Sequence, residues 1–443
     1  MTATELERRL GKARDFERSG QVLQAESQYL GVLKDWPRNV EAARRLAHFA
    51  LIRGDGNRAI ALMRSAARFA PDDAQLRVDL AVAHLAIEQT ADAIRILEDA
   101  VTDHPAFSTA WLLLGEVRDS AGDTSGALKA WYHAVTRAQR AGHWKNQETT
   151  PPHLLESVVK AIDRVRRGRR DLFFGAYEDV RGEYGGDALK RLDRALTGYL
   201  RDWDATPTDP RQRPKFFFFP DIPNQPYHDP YLQPWAELLQ SAFPVIREEA
   251  LGLLREHGPF QNFIEFKEGD PVDEVLSGEA ERPTWEAFFF YRHGERFDAN
   301  HQRCPKTSAV LESIELCRVE DQAPEVLFSI LRPGTHIMPH HGVTNTRLVM
   351  HLPLVVPPDC ALNLVGAGEH RWKEGELVMF DDTYLHEAWN RSQEPRVIVL
   401  MDCWNPHLTA VEKLAVRQLI ETISGLQLAD RSRPAEATPR TSA

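Results

Sequence analysis

Four series of residues in the first third of the chain keep a step of 34. Pro37, Pro71 and Pro105 form one, and Gly20, Gly54, Glu88 and Gly122 a second. Ala25, Ala59, Ala93 and Ala127 form the third, with Tyr29, Met63, Leu97 and Trp131 always four residues further on. A period of 34 with a small residue, a bulky residue and a closing proline is the signature of tetratricopeptide repeats. The alanines let two antiparallel helices approach, the bulky side chain fills the gap beside them, and the proline stops the second helix. Trp111, Leu114 and Gly115 complete the fullest unit. This spacing predicts an all-α solenoid, which offers a curved surface to a protein or peptide partner. Stabilisation or dimerisation of the chain are the equal alternatives for such an array.

Helical patterning continues through "HLLESVVKAIDRVRRG" and "DALKRLDRALTGYLRD" and stops at "DATPTDPRQRP", whose proline and charge read as a linker. The period then changes. "PKFFFFPDIP", "WEAFFFYRHG", "EVLFSILRPG", "TRLVMHLPLVV", "GELVMFDD" and "RVIVLMDCW" are short apolar runs bounded by Gly, Pro, Asn and Asp, the pattern of a mainly β domain at barrel or double-sheet spacing. "PWAELLQSAFPVIREEALGLLREH" precedes most of them as a helix, and "VEKLAVRQLIETISG" reads as a closing one. The expected division is a repeat array over 1–150, a helical cap and linker over 151–205, a β domain over 206–425, and a disordered tail over 426–443.

The net charge of −11 argues against a nucleic-acid protein. The run Arg164, Arg166, Arg167, Arg169, Arg170 reads as a solvated helix end. Cys304, Cys317, Cys360 and Cys403 make no CxxC pair, which fits a reducing compartment. No stretch reaches a membrane span. A soluble cytoplasmic protein is the expectation; its oligomeric state is open.

"THIMPHHG" and "FDDTYLHEAW" carry the chemistry. If residues 335–340 are extended, His336, Met338 and His340 face one way and His341 the other. His386 follows a β run and an acidic turn, 46 residues after His340. Histidines from two strands can meet in the mouth of a barrel, and neutral imidazoles suit iron, copper and zinc. Arg396 starts a late strand, where an inward guanidinium needs a carboxylate: that of a ligand such as 2-oxoglutarate, or Asp381 or Asp382. His351 could donate a second hydrogen bond. His336 and His341 read better as ordinary strand residues than as ligands.

"QPYHDPYLQPW", "CPKTSAVLE", "SILRPGTHIMPHHGVTNTRLVMHLPLVVP", "GELVMFDDTYLHEAWN" and "RVIVLMDCWNP" together resemble the catalytic domain of the aspartyl/asparaginyl β-hydroxylase family across 214–407. The resemblance implies a double-stranded β-helix (jelly roll, cupin-like) using Fe(II), 2-oxoglutarate and O2, with iron held by two histidines. His340 and His386 match those ligands. Gly342 stands where related oxygenases place a metal carboxylate, so a carboxylate introduced there is expected to tighten the metal. Ser329, His351 and Arg396 match residues that hold 2-oxoglutarate. Two positions depart: Val349 replaces a family arginine, with Arg347 on the same face as partial compensation, and Tyr291 stands for a tryptophan near the cosubstrate. The implied activity is hydroxylation of an unactivated C–H, with an Asp/Asn-type side chain of a protein or peptide as first choice. A small-molecule or lipid-linked substrate, a halogenase using the vacant carboxylate position, and a non-catalytic scaffold with a degenerate barrel are the alternatives.

Overall fold

The computed structural model describes residues 2–256, 258–266, 272–278 and 283–427. The tail expected to be disordered lies outside the described residues from 428 onward. The described residues divide into two compact units, one up to Asp171 together with Gly425–Gln427, the other Leu172–Ser424.

The first unit is the expected array. Its helices come in pairs: α1 (Ala3–Arg18) with α2 (Val22–Asp35), α3 (Val40–Ile52) with α4 (Gly56–Ala67), α5 (Ala74–Leu85) with α6 (Thr90–Asp103), and α7 (Ser108–Ser120) with α8 (Thr124–Arg140). Asn39, Asp55, Asp73 and Asp123 cap helix starts by accepting backbone N–H bonds, which satisfies donors the helix itself leaves open. The four spaced alanines are fully buried, and the four bulky residues after them are buried too. Gly20, Gly54, Glu88 and Gly122 all have positive φ, between +60° and +84°. The 34-residue step therefore repeats one left-handed turn between the helices of each pair. The fourth pair is covered by α9 (Leu155–Gly175), whose Val158, Ala161 and Val165 join the core of α7 and α8.

The second unit opens with α10 (Glu178–Tyr184) and α11 (Lys190–Tyr199). After β1 (Tyr227–His228) come α12 (Ala236–Ser241) and α13 (Phe243–Arg255). Next are β2 (Gln261–Asn262), β3 (Leu276–Gly278), β4 (Trp285–Arg292), β5 (Glu295–Arg296), α14 (Asp298–Arg303) and α15 (Pro305–Glu312). The remaining strands are β6 (Val326–Leu331), β7 (Thr335–His340), β8 (Arg347–Val355), β9 (Cys360–Leu364), β10 (Gly368–His370), β11 (Val378–Phe380), β12 (His386–Asn390) and β13 (Arg396–Trp404), before α16 (Ala410–Gln427). They form two antiparallel sheets. One runs β1-β11-β8-β13-β6-β4-β2, with β5 against β4, and the other runs β10-β9-β12-β7-β3. The β-rich domain with flanking helices is thus formed as expected.

One expected run is no strand. "PKFFFFPDIP" makes only an isolated bridge, Phe217 to Thr344, and its Phe216 and Phe217 N–H groups both donate to the Val343 carbonyl. Its prolines remove the donors a ladder needs. All four cysteines are free and buried. Among the described residues, no helix is long and apolar enough to cross a membrane.

Candidate functional site: two imidazoles and an unpaired arginine

The sheets enclose a cavity of about 240 Å³, lined from β4, β6, β7, β8, β9, β11, β12 and β13 and the loops beside them. His340 ends β7 and His386 begins β12, and the two are direct cross-strand partners. Their ring centroids are 4.1 Å apart. Each ring is fixed through Nδ1: His340 donates to the Met338 carbonyl at 2.8 Å, and His386 to the Tyr384 carbonyl at 2.9 Å. With the protons on Nδ1, the lone pair of each ring sits on Nε2, the tautomer a metal ligand needs. Burial lowers the proton affinity of both, and His340 adds to the effect on His386, which falls to about 3. Both are neutral near pH 7 and lose no proton on meeting a cation.

A bulge sets this geometry. Between the pairs Ala388–Ile337 and His386–His340, β12 advances two residues and β7 three. The extra residue turns His340 onto the face of Ile337, which lines the cavity. His336 does not share that face, contrary to simple alternation. It contacts Glu387 at 2.7 Å and packs edge-on to Trp389. His341 is not brought to the cavity either, and its Nδ1 lies 2.8 Å from the Thr383 carbonyl.

Arg396 begins β13 and is 1% exposed, yet Nε and one terminal nitrogen have no partner. Neither Asp381 nor Asp382 pairs with it. Asp381 accepts from Gln212 and Thr383, so the carboxylate pairing weighed for Arg396 within the chain is not made. Burial without a counter-charge lowers the Arg396 pKa to about 10. The guanidinium lies 5.0 Å from the Trp372 ring. His351, also buried, has both ring nitrogens unpartnered. Ring contacts continue from Trp372 to His351 at 5.9 Å, on to Phe380 at 5.1 Å, and from Phe380 to His386 at 5.5 Å. The unpaired cation and the imidazole pair are therefore two ends of one cavity. Ser329 lines it from β6, with its hydroxyl accepting the Trp285 indole N–H at 2.9 Å.

Arg347 does face the cavity with Val349 and His351, but it is already paired. It lies 3.1 Å from the Asp402 carboxylate and donates to the Gln322 carbonyl at 3.0 Å. Tyr291 is a correction. Between Phe289 and Tyr291, β4 advances two residues against one on β6, and this bulge turns Tyr291 out of the cavity. It packs with Phe288 and Phe290 in the outer core, and its hydroxyl accepts from Arg296. Trp285, on the cavity face of the same strand, is the aromatic residue of β4 that lines the site. Its indole stacks on Phe263 at 3.9 Å.

Among the lining residues, the sequence did not single out Trp285 or Trp372, and it offered Asp382 only as a carboxylate for Arg396. Alternation along β4 from Trp285 to Phe289 was the available signal for the first. For Asp382 it was the glycine opposite. A Cβ at Gly342 would collide with the Asp382 carboxyl, and the Gly342 N–H donates to the Asp382 carbonyl at 2.6 Å. The space beside Gly342 is thus filled from the turn before β12, which corrects the expectation that a carboxylate at 342 simply enters a vacancy. Burial raises Asp382 to about 8, with Asp381 adding to it. Among the described residues, no group of three or more His, Cys, Asp and Glu side chains is arranged to hold a metal.

The aspartyl/asparaginyl beta-hydroxylase family profile matches residues 240–406, and two tetratricopeptide repeat profiles match 10–74 and 50–117. Human aspartate beta-hydroxylase domain-containing protein 2 is 33% identical over 364 residues, 73% of this chain and 95% of that protein. The chain belongs to the aspartyl/asparaginyl β-hydroxylase family. The mouse and Xenopus tropicalis proteins of the same name are 34% and 33% identical over 53% and 46% of this chain, which spans 66% and 54% of their lengths. The Rhizobium tropici family member "Ornithine lipid ester-linked acyl 2-hydroxylase" is 30% identical over 41% of this chain and 62% of that protein. Membership of the family supports a hydroxylase.

Proposed function

We propose that the protein is an Fe(II)- and 2-oxoglutarate-dependent dioxygenase that hydroxylates an unactivated C–H bond. One observation carries the reading: a buried arginine with unsatisfied N–H groups stands at one end of a cavity whose other end holds two neutral, cross-strand imidazoles. A buried cation is stable only when paired. A dicarboxylate long enough to reach from Arg396 toward His340 and His386 supplies the pair. The residues present fit both groups. His340 and His386 would hold the metal through Nε2, while Arg396, Ser329 and His351 would hold the distal carboxylate, the arginine with two parallel bonds.

Bound iron supplies the oxidising chemistry by which O2, 2-oxoglutarate and R–H give succinate, CO2 and R–OH. The chain positions and shields. The Nδ1 bonds fix both imidazole planes, Trp285 and Trp372 close the walls, and burial keeps the imidazoles unprotonated. The repeat array adds a surface for a protein or peptide.

Two measurements on the purified chain test the reading. Binding of 2-oxoglutarate should need Arg396, with the affinity of Arg396→Ala lower by roughly 2–5 kcal/mol. Succinate formation should require added Fe(II) and vanish in His340→Ala and in His386→Ala. Unchanged 2-oxoglutarate binding in the first variant, or turnover in either of the others, overturns it.

A further inference from the structure

A second pair of imidazoles lies on the far side of the larger sheet. His228 on β1 is the cross-strand partner of Met379 on β11, and Tyr227 that of Phe380. Phe380 lines the cavity, whereas Met379 belongs to the outer core. Cross-strand partners share a face, so His228 points away from the cavity. Its ring meets that of His407, which follows β13, with centroids 5.8 Å apart. His228 is 5% exposed. The Nε2 atoms of both rings are buried and have no partner, which is a costly arrangement for polar atoms. The surroundings hold both residues in place. The Gln225 side-chain amide lies 3.3 Å from Nδ1 of His228 and so leaves Nε2 as the free atom. The His407 N–H donates to the Asn405 side-chain carbonyl at 3.0 Å, and the His407 carbonyl accepts from Arg191 at 3.0 Å. The Arg191 charge is balanced by the Glu412 carboxylate at 2.5 Å. Burial lowers the proton affinity of both imidazoles. Arg191 adds to the effect at His407, and His407 adds to it at His228, which falls to about 4. Both rings are therefore neutral near pH 7 and carry the lone pair that a cation takes.

We infer that His228 and His407 form a second metal site, separate from the cavity, for a divalent cation that prefers nitrogen ligands, such as Zn2+. Two imidazoles that bind one Zn2+ at about 2.1 Å, at the angle of tetrahedral coordination, hold their centroids roughly 5–6 Å apart, and the separation here is 5.8 Å. The cavity pair, at 4.1 Å, subtends a narrower angle, so the two pairs suit different coordination geometries. His407 is half-buried, so water reaches the pair and completes the coordination. With two protein ligands the site exchanges its cation and is not a zinc centre on which folding depends. A cation there ties β1 to the loop before α16. It also braces the turn before β12 from behind, because the Asp381 N–H donates to the Pro226 carbonyl at 3.0 Å, two residues from His228. The site uses neither His340 nor His386, so it does not rest on the oxygenase reading.

Calorimetric titration of the metal-free full chain with ZnCl2 tests it. The His340→Ala/His386→Ala chain is the background, so that only sites outside the cavity are read. One equivalent of Zn2+ should bind. Adding His228→Ala or His407→Ala should weaken that binding at least about tenfold, since losing even a residue that only orients a ligand costs about that much. His407 is half-buried, so His407→Ala keeps the test open if His228→Ala, which empties a buried position, loses the fold. His143→Ala, on the exposed surface, should leave the affinity unchanged. No Zn2+ binding in the background chain, equal affinity in His407→Ala, or an equal loss in His143→Ala overturns the inference.

Discussion

At the scale of single residues, the site is a set of buried groups held away from their ordinary ionisation. Arg396 bears the clearest cost. Its lowered pKa means that below about pH 10, where the group still carries its charge, the folded protein holds that charge less favourably than the unfolded chain does. The penalty is on the order of 3 kcal/mol in the ligand-free protein. Arg396→Leu should remove it, raising the ligand-free Tm by roughly 5 °C while abolishing the stabilisation that 2-oxoglutarate gives. A thermal melt with and without 2-oxoglutarate checks both, and a lower ligand-free Tm with the 2-oxoglutarate shift intact refutes them. His386 sets a pH dependence. Its folded pKa of about 3 lies below the usual histidine value, so between about pH 6.5 and 3 the unfolded chain binds more protons and stability falls with acid. The raised carboxyls of Asp381 and Asp382 push the other way. The readout is therefore a difference: from pH 6.5 to 4, His386→Leu should lose less stability than the parent by up to ~1.4 kcal/mol per pH unit. Parallel denaturant curves across that range would exclude the assignment.

At the scale of elements, alternation and its interruptions decide which residues meet. The 34-residue step was legible because each repeat uses the same contacts, down to a shared left-handed residue after every first helix. Glu88 is the one of the four that is not glycine, and a side chain in that conformation is strained. Glu88→Gly should stabilise the array by about 0.5–1 kcal/mol, read as a higher urea midpoint at unchanged m-value. The β domain was legible as a class of fold and less so as a set of faces. His340, His386, His351 and Arg396 were identified from local context and Ser329 from the family resemblance, and the cavity gathers all five. The face of His336 and the place of Tyr291 were not, because a bulge adds a residue to one strand without a mark in the apolar pattern. The turn before β12 carries a similar constraint. Gly342→Ala would push against the Asp382 carboxyl and should cost roughly 1–3 kcal/mol. Asp382→Ala in the same chain should return most of it, and a double variant no more stable than Gly342→Ala alone would show that the contact is not the cause.

At the scale of the whole molecule, the two units follow different rules of stability. In the first, buried side chains form successive clusters along the array. One centres on Tyr29 and Leu46, the next on Met63 and Leu76, and the last on Trp111 and Trp131. Each cluster draws on adjacent helix pairs, so stability accumulates by nearest neighbours and needs no distant strand. In the second, strands far apart in sequence must pair before the cavity exists, as when β6 meets β13 or β7 meets β12. Sequence periodicity reports the first kind of contact directly and the second only through strand-length runs, which is why the array was readable residue by residue and the sheet faces were not. A fragment ending at Asp171 should therefore fold alone. It contains all four helix pairs and the buried face of α9. Circular dichroism should show a helical spectrum that melts in one cooperative transition. A fragment that stays unfolded, or melts without a transition, would mean that the array takes its stability from residues beyond Asp171 and that its repeats are not self-sufficient.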